Sequence, residues 1–145
     1  MGAKKSQKNR SLTKTEYEML SAYRRALRRF LRFSAEAAAA AGLTTHQHQA
    51  LLAIKGFPGR EHITNGELAE QLQIKHHSAV GLVNRLEALG LIARERGDSD
   101  RREVYVSLTR RGSALLERLS LVHREELQHM APRLSLMLDK LKETK

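Results

Sequence analysis

The chain has 145 residues, of which 41% are hydrophobic and 29% charged, and it contains no Cys. This length suits one domain with a core of its own, and no apolar run approaches the roughly 18 residues of a membrane span. The basic start leads to no signal-peptide core. Without thiols, a disulfide framework, thiol redox sensing and thiolate metal sites are excluded. We therefore expect a soluble, cytoplasmic protein with no membrane segment.

The net charge of +10 is concentrated near the start, because residues 1–33 carry ten Lys or Arg against two Glu. Clustered cations favour polyanionic partners, since binding releases condensed counterions. A solvated tail and a solvated helix face explain the same charge equally well. Residues 1–11 have almost nothing apolar to bury and are predicted to form a disordered basic tail.

The first half of the chain has the apolar spacing of helices. Residues 13–41 are predicted to form one long helix, with Gly42 as its stop. Thr44-Thr45-His46-Gln47 and Thr64-Asn65-Gly66-Glu67 are capping boxes, which predict the starts of two short helices. A fourth helix is predicted over residues 76–89, where apolar residues again recur at spacings of three and four.

The apolar period changes from helical to alternating in the second half. Residues 91–96 and 103–108 flank a charged turn, and apolar residues alternate along the second segment, which predicts a β-hairpin. Thr109 is predicted to cap a long helix, and Pro132 fits the first turn of a separate final helix.

The predicted fold class is mainly α, with an α+β winged helix-turn-helix lobe at residues 44–108. Long helices flank this lobe at residues 12–43 and 109–145, and each carries one apolar stripe. They lie too far apart in the sequence to bury each other's stripes within a small domain, so we expect them to form a homodimer interface. Residues 12–145 are accordingly predicted to be a single domain.

The fourth predicted helix is the candidate for contacting a partner. When Ala79, Leu82, Val83 and Leu86 face inward at about 100° per residue, the opposite face of the helix points outward. In a helix-turn-helix, the start of the second helix meets base edges in the major groove. An ordinary solvated helix face is the alternative. The predicted DNA contacts on this helix are His76, His77, Ser78, Val80, Gly81, Asn84 and Arg85.

The predicted turn of the hairpin carries two Asp and two Arg within residues 98–102. Acids beside guanidinium groups can hold them in position, and an Arg at such a tip suits the narrow minor groove. Without the preceding helix-turn-helix, the same residues would be interpreted as a solvated turn. The predicted DNA contacts of the hairpin are Arg94, Arg96, Arg101 and Arg102, with Asp98 and Asp100 as orienting acids.

These segments resemble the MarR (multiple antibiotic resistance regulator) family. The similarity is carried by residues 64–85, by Leu86-Glu87-Ala88-Leu89-Gly90-Leu91-Ile92 and above all by residues 100–112, from Asp-Arg-Arg-Glu to Leu-Thr-Arg-Arg-Gly. The resemblance implies an obligate dimer that binds pseudo-palindromic double-stranded DNA, with Arg102 in the minor groove and Asp100 orienting it. It also implies a pocket between dimer helices and DNA-binding lobe, often for small aromatic acids.

A small-molecule effector is predicted on two grounds, the resemblance and a stripe of cations. Arg24, Arg28 and Arg32 lie four residues apart on the first predicted helix and are candidates for binding an anion. A solvated face, or contact with DNA phosphates, is the alternative. Val80 and Gly81 depart from the polar or basic residues that many family members carry, so the operator sequence does not follow from the resemblance.

Metal and enzyme chemistry are not expected. The pairs His46/His48 and His123/His129 are spaced two and six residues apart, which does not align zinc ligands on one helix face, so we expect no metal and no cofactor. No phosphate-binding loop, nucleophile elbow or HExxH motif is present. The predicted function is a sequence-specific transcriptional repressor, released by an effector. A winged helix serving as an architectural or protein-interaction module is the alternative.

Overall fold

The structure is a computed structural model that describes residues 11–97 and 103–143. Two compact units are distinguished: unit 1 comprises the described residues of Met1–Leu31 and Glu126–Lys145, and unit 2 those of Arg32–Glu125. Whether residues 12–145 form a single domain stays a prediction, and the predicted basic tail lies outside the described residues except for Ser11. The elements in chain order are α1 (Lys14–Ala40), α2 (Thr45–Lys55), β1 (His62–Thr64), α3 (Asn65–Leu72), α4 (His76–Ala88), β2 (Ile92–Arg96), β3 (Val104–Leu108) and α5 (Arg110–Glu143).

Both predicted capping boxes are confirmed. The Thr44 hydroxyl accepts the backbone N–H of Gln47 at 3.1 Å, and the Gln47 side chain accepts the N–H of Thr44 at 3.0 Å. Thr64 and Glu67 exchange the same two bonds at 3.1 and 3.0 Å. Each box satisfies backbone donors that the first turn of a helix leaves without a helical partner, which fixes where α2 and α3 begin.

The hairpin is confirmed and belongs to a three-stranded antiparallel sheet of order β1-β3-β2. Ile63 pairs with Val106, and Ile92 pairs with Leu108. Strand β1 was not predicted. It has three residues and one buried side chain, which is too short for alternation to appear in a sequence.

The core of unit 2 lies between the sheet and helices α2 to α4. Its largest fully buried apolar side chains are Leu51, Ile54, Ile63, Leu68, Leu86, Val83 and Val106. The inward face predicted for α4 is confirmed, because Ala79, Leu82, Val83 and Leu86 are at most 4% exposed. The opposite face of α4 is therefore oriented by the core behind it.

The prediction of a separate final helix beginning at Pro132 is wrong. Helix α5 continues through Pro132 as far as Glu143. A proline inside a helix removes one backbone hydrogen bond, but Met130, Leu134 and Met137 continue one apolar stripe across it at helical spacing. In unit 1, Met137 of α5 and Met19 of α1 are both buried.

Among the described helices, none combines the length and apolar character that crossing a membrane requires.

Candidate nucleic-acid interface

A three-residue turn joins α3 to α4. Gln73 ends α3 in the left-handed conformation, with φ at 55°, which costs a non-glycine residue roughly 1 kcal/mol. The turn is held by the N–H of Ile74, which donates to the carbonyl of Ala69 at 3.0 Å. The Gln73 side chain also donates to the carbonyl of Glu70 at 2.7 Å. These local bonds set the angle at which α4 leaves α3, as in a helix-turn-helix.

The start of α4 is open to a partner. His76, His77 and Ser78 are exposed there, and the N-cap residue Lys75 makes no side-chain capping bond within the described chain. The first N–H groups of a helix then remain available, and they favour anionic groups such as phosphates. The predicted base-contact residues thus share one exposed end of a helix with backbone donors suited to the DNA backbone.

The middle of α4 presents a shallow surface. Val80 and Gly81 are partly exposed, and Arg85 is exposed one turn later. A Cβ added at Gly81 would meet only the Nη2 atom of Arg85, at 3.9 Å. The Arg85 side chain therefore extends back along the helix toward Gly81.

Two predicted DNA contacts are in contact with each other. The Nη2 group of Arg94 on β2 donates to Oδ1 of Asn84 on α4, and Nε of Arg94 lies 3.4 Å from Oε2 of Glu87. Sequence spacing did not predict this contact, because the residues are ten apart and lie on different elements. The contact with β2 thereby orients the Asn84 amide, and the Arg94 guanidinium is held against α4.

The described part of the hairpin ends where the charged turn begins. The N–H of Gly97 donates to the carbonyl of Glu103 at 2.9 Å, and Arg96 pairs with Val104 across the strands. Arg94 and Arg96 are both exposed on one face of β2. The remaining predicted residues of the turn, Asp98, Asp100, Arg101 and Arg102, lie outside the described residues.

A cluster that sequence analysis missed supports β3 at the base of the hairpin. The Tyr105 hydroxyl donates to Oε2 of Glu103 at 2.6 Å, which raises the pKa of Tyr105. The rings of Tyr105 and His62 lie 4.7 Å apart, edge to face. The Arg60 guanidinium lies 5.8 Å from the Tyr105 ring. These contacts join β1, β3 and the segment before β1, so no helical or alternating period signals them.

Arg60 also connects this cluster to α3. Its guanidinium lies 4.6 Å over the Phe57 ring and pairs with the carboxylate of Glu67. Burial raises the pKa of Glu67, but hydrogen bonds from Thr64 and Arg60 outweigh it and hold that pKa below its usual value. The capping glutamate of α3 therefore stays ionised and anchors Arg60.

The Leu-Thr end of β3, part of the family resemblance, has a structural explanation. The Thr109 hydroxyl donates to the carbonyl of Gly90 at 2.7 Å and accepts the N–H of Gly112 at 3.1 Å. The Thr109 N–H donates to the carbonyl of Leu91 at 3.0 Å. One residue thus caps α5 and ties its start to the end of α4.

The predicted effector stripe on α1 is exposed at all three positions. Arg32 forms an ion pair with Glu36, with Nε 3.3 Å from Oε1. An exposed pair of this kind is worth little, and no described contact brings Arg24, Arg28 and Arg32 onto a common ligand. Their role as an effector site stays a prediction.

Two of the four histidines weighed as metal ligands meet in the core of unit 2. The rings of His48 and His123 lie 4.7 Å apart, and both side chains are buried. Nδ1 of His123 donates to the carbonyl of Leu119 at 2.6 Å, so Nε2 accepts from the Ser34 hydroxyl at 2.8 Å. Within residues 11–97 and 103–143, no three metal-binding side chains come together.

The surroundings of His48 disfavour a positive charge on its ring. Nδ1 of His48 is buried without a hydrogen-bond partner in the described structure. Burial, and then repulsion from His123, lower the pKa of His48. The neutral form of the His48 imidazole is therefore favoured in the folded protein.

Comparison with known proteins supports the predicted family. The sequence model of the MarR family matches residues 41–103. No curated protein matches the chain. AbsC, a MarR family transcriptional regulator from Streptomyces coelicolor, shares 22% identity at a TM-score of 0.71, covering 92% of this chain and 93% of its own.

Two further solved structures have the same fold. RV1404 from Mycobacterium tuberculosis is 21% identical, with a TM-score of 0.73 over 93% of this chain and 97% of its own. A mutant of S. aureus MepR, solved bound to an oligodeoxyribonucleotide, is 22% identical, with a TM-score of 0.65 over 90% of this chain and 99% of its own. Residues 41–103, which contain the helix-turn-helix, thus match the MarR family that the sequence resembles, and the solved structures share its fold.

Proposed function

We propose that this protein is a sequence-specific DNA-binding transcriptional repressor. The observation that carries the proposal is the outward face of α4. Its first turn presents the exposed side chains of His76, His77 and Ser78, and the N–H groups of His76 and His77 have no backbone acceptor in the described chain. The buried residues behind this turn fix the orientation of the helix. Major-groove readers present a helix in this way, and the solved MepR complex with an oligodeoxyribonucleotide has the same fold.

The hairpin, which contacts α4, also supports the proposal. Arg94 and Arg96 lie exposed on β2, and Arg94 contacts Asn84 of α4. Helix and strand are thus linked within unit 2, so both can engage one duplex. Arg102 in the minor groove, oriented by Asp100, is part of the proposal on sequence grounds.

A homodimer on pseudo-palindromic DNA is the proposed assembly. Large apolar side chains on the terminal helices are exposed and have no cover in the described chain, which is typical of a protein interface. The proposed operator consists of two half-sites about one helical turn of DNA apart, as for other helix-turn-helix dimers. The exposed apolar residues are Tyr17, Leu20 and Leu31 of α1 and Leu121, Val122, Leu127, Leu136 and Leu138 of α5.

Selection of bound sequences from random duplexes tests this function. We expect a pseudo-palindromic site, bound by a dimer in sedimentation and preferred over random duplex by roughly three powers of ten or more. An architectural module would show little preference, and a protein-interaction module would not bind. Either result would contradict the proposal.

Variants locate the interface. Arg85→Ala and Arg102→Ala are expected to weaken operator binding by roughly tenfold each, because each removes a charged contact to the duplex. Arg124→Ala, which removes an exposed arginine of α5, is the matched control and is expected to leave affinity unchanged. Equal affinity for all three variants would contradict the assignment of α4 and the hairpin.

Release of the operator by a small anionic aromatic effector completes the proposed function.

A further inference from the structure

Helix α4 and strand β2 share a three-residue contact on the proposed DNA-contacting face. Asn84 is exposed and lies on the same outward stripe of α4 as His77 and Gly81, at helical spacing. Nη2 of Arg94 donates to Oδ1 of Asn84, and Nε of Arg94 lies 3.4 Å from Oε2 of Glu87. Two acceptors on α4 therefore hold one guanidinium group from β2.

The chemistry of arginine fixes which way the Asn84 amide is turned. A guanidinium group has only donors, so it can face the amide oxygen but not the amide NH2 group. The bond is charge-assisted, which makes it roughly twice as strong as a bond between neutral groups. Turning the amide over would lose this bond and place its N–H groups against those of Arg94. The NH2 group, with two donors, is thus the part of the amide that remains for a partner.

Base edges in the major groove differ in whether they accept or donate hydrogen bonds. Guanine presents two adjacent acceptors, N7 and O6, whereas adenine presents the acceptor N7 beside the N6 donor. An asparagine with both amide groups free pairs with adenine, because its oxygen accepts from N6 while its nitrogen donates to N7. In this protein the Asn84 oxygen already accepts from Arg94. A second donor on that oxygen would lie beside the positive guanidinium group, which disfavours adenine.

We propose that Asn84, turned by Arg94, determines specificity by selecting guanine rather than adenine at one position of each half-site. Its two amide donors can donate to N7 and O6 of guanine, and the nearby guanidinium charge favours a base edge made of acceptors. Arg94 is a positioning residue in this arrangement, because it acts through the Asn84 amide. The inference rests on the proposed function, since it names the base that the outward face of α4 reads.

A phosphate is the other DNA group that the amide donors of Asn84 could contact. Phosphate contacts position a protein on the duplex but carry no sequence information. Asn84 shares its stripe with His77, at the end of the helix that meets base edges in a helix-turn-helix. Between them lies Gly81, which has no side chain to keep a base at a distance. This position favours a base over a phosphate as the partner of Asn84.

Selection of bound sequences by the full-length protein, followed by titration of single-base variants of the selected site, tests the role of Asn84. Asn84→Ala identifies the position that this residue reads, because base preference should disappear there and persist elsewhere. At that position we expect the parent protein to bind guanine about tenfold more tightly than adenine, as one bidentate contact allows. Asn84 and Arg94 are both exposed, so substituting them leaves the core intact.

Arg94→Met tests the positioning role, because methionine is a long side chain without a donor. With Oδ1 released, Asn84 can pair with adenine, so the preference for guanine over adenine should fall at least about fivefold. Arg96→Met is the matched control, since it removes the same charge two residues along the same face of β2. It should weaken binding to all sequences alike and leave the base preference at the Asn84 position as it is in the parent.

Three results would overturn the role of Asn84. The selected site has adenine at the Asn84 position, Asn84→Ala lowers affinity for every sequence alike, or Arg94→Met changes the base preference no more than Arg96→Met does. The parent protein separates this inference from the proposed function. If the parent selects no site, the proposed function itself is contradicted. If it selects a site whose base preferences do not depend on Asn84 and Arg94, only the selection of guanine is contradicted.

Discussion

Two helical glycines show how the interior of unit 2 differs from its outward face. A Cβ added at Gly112, in the first turn of α5, would lie 2.0 Å from the carbonyl oxygen of Leu91. A Cβ added at Gly81, in the middle of α4, would meet nothing nearer than 3.9 Å. The packing of this chain explains the first glycine. No described contact explains the second, although glycine costs a helix about 1 kcal/mol relative to alanine.

Histidines show the same difference. The rings of His48 and His123 meet in the core of unit 2, where burial and then repulsion from His123 lower the pKa of His48. His76 and His77 are exposed at the start of α4. The identity of the interior residues is thus explained by contacts within the chain, whereas the residues on the outward face of α4 have no such contacts to explain them. This difference is the physical basis for assigning that face to a partner.

The largest expected effect is that of Gly112→Ala. The new methyl group would overlap the backbone of Leu91, which cannot rotate away as a side chain would, so the start of α5 and the end of α4 must separate. We expect the free energy of unfolding to fall by roughly 3 kcal/mol or more, measured by urea denaturation with circular dichroism. Gly81→Ala in the same assay is the matched control. If the Gly112→Ala protein is as stable as the parent, packing against Leu91 does not explain the glycine at position 112.

The elements that local chemistry specifies could be predicted from the sequence. The capping boxes at Thr44 and Thr64 and the apolar face of α4 depend on residues within one or two turns of each other, and all are confirmed. Strand β1 could not be predicted, because its pairing with β3 joins residues more than forty positions apart. The continuation of α5 through Pro132 depends on packing rather than on the local cost of proline.

The same distinction applies to the candidate site. The exposed face of α4 followed from helical geometry, whereas the contact between Asn84 and Arg94 and the position of Arg60 beside Tyr105 depend on tertiary structure. The contact of His48 with His123 joins residues 75 positions apart. Sequence analysis therefore identified residues that face outward and missed the tertiary contacts that hold them in place.

The second prediction concerns pH and the buried histidines. The pKa of His48 is lowered in the folded protein, so below the ordinary imidazole value of about 6.5 the unfolded chain binds a proton that the folded chain does not. Above that pH the two states bind equally, and no stability is gained or lost. We expect the free energy of unfolding to fall as the pH decreases from about 6.5, by at most about 1.4 kcal/mol per pH unit for this group.

Chemical denaturation between pH 7.5 and 5 measures this slope. His48→Phe keeps a ring in the core and removes the titrating group, so its slope should be shallower than that of the parent. His48→Gln serves as a second variant in case the phenyl ring does not fit. His77→Gln, which removes an exposed histidine, is the matched control. If His77→Gln reduces the slope and neither His48 variant does, the buried His48 is not the source of the pH dependence.

The smallest expected effect is that of Gly81→Ala, and it addresses the outward face directly. Because the added methyl group meets open space, the free energy of unfolding should stay constant or rise by up to about 1 kcal/mol. Operator affinity should fall about fivefold, since the methyl group would intrude where base edges approach α4. Affinity for random duplex should not change, because phosphate contacts dominate it. An operator affinity equal to that of the parent would mean that the gap at Gly81 is not part of the DNA-contacting surface, and a parallel loss on random duplex would place it against the phosphate backbone instead of the bases.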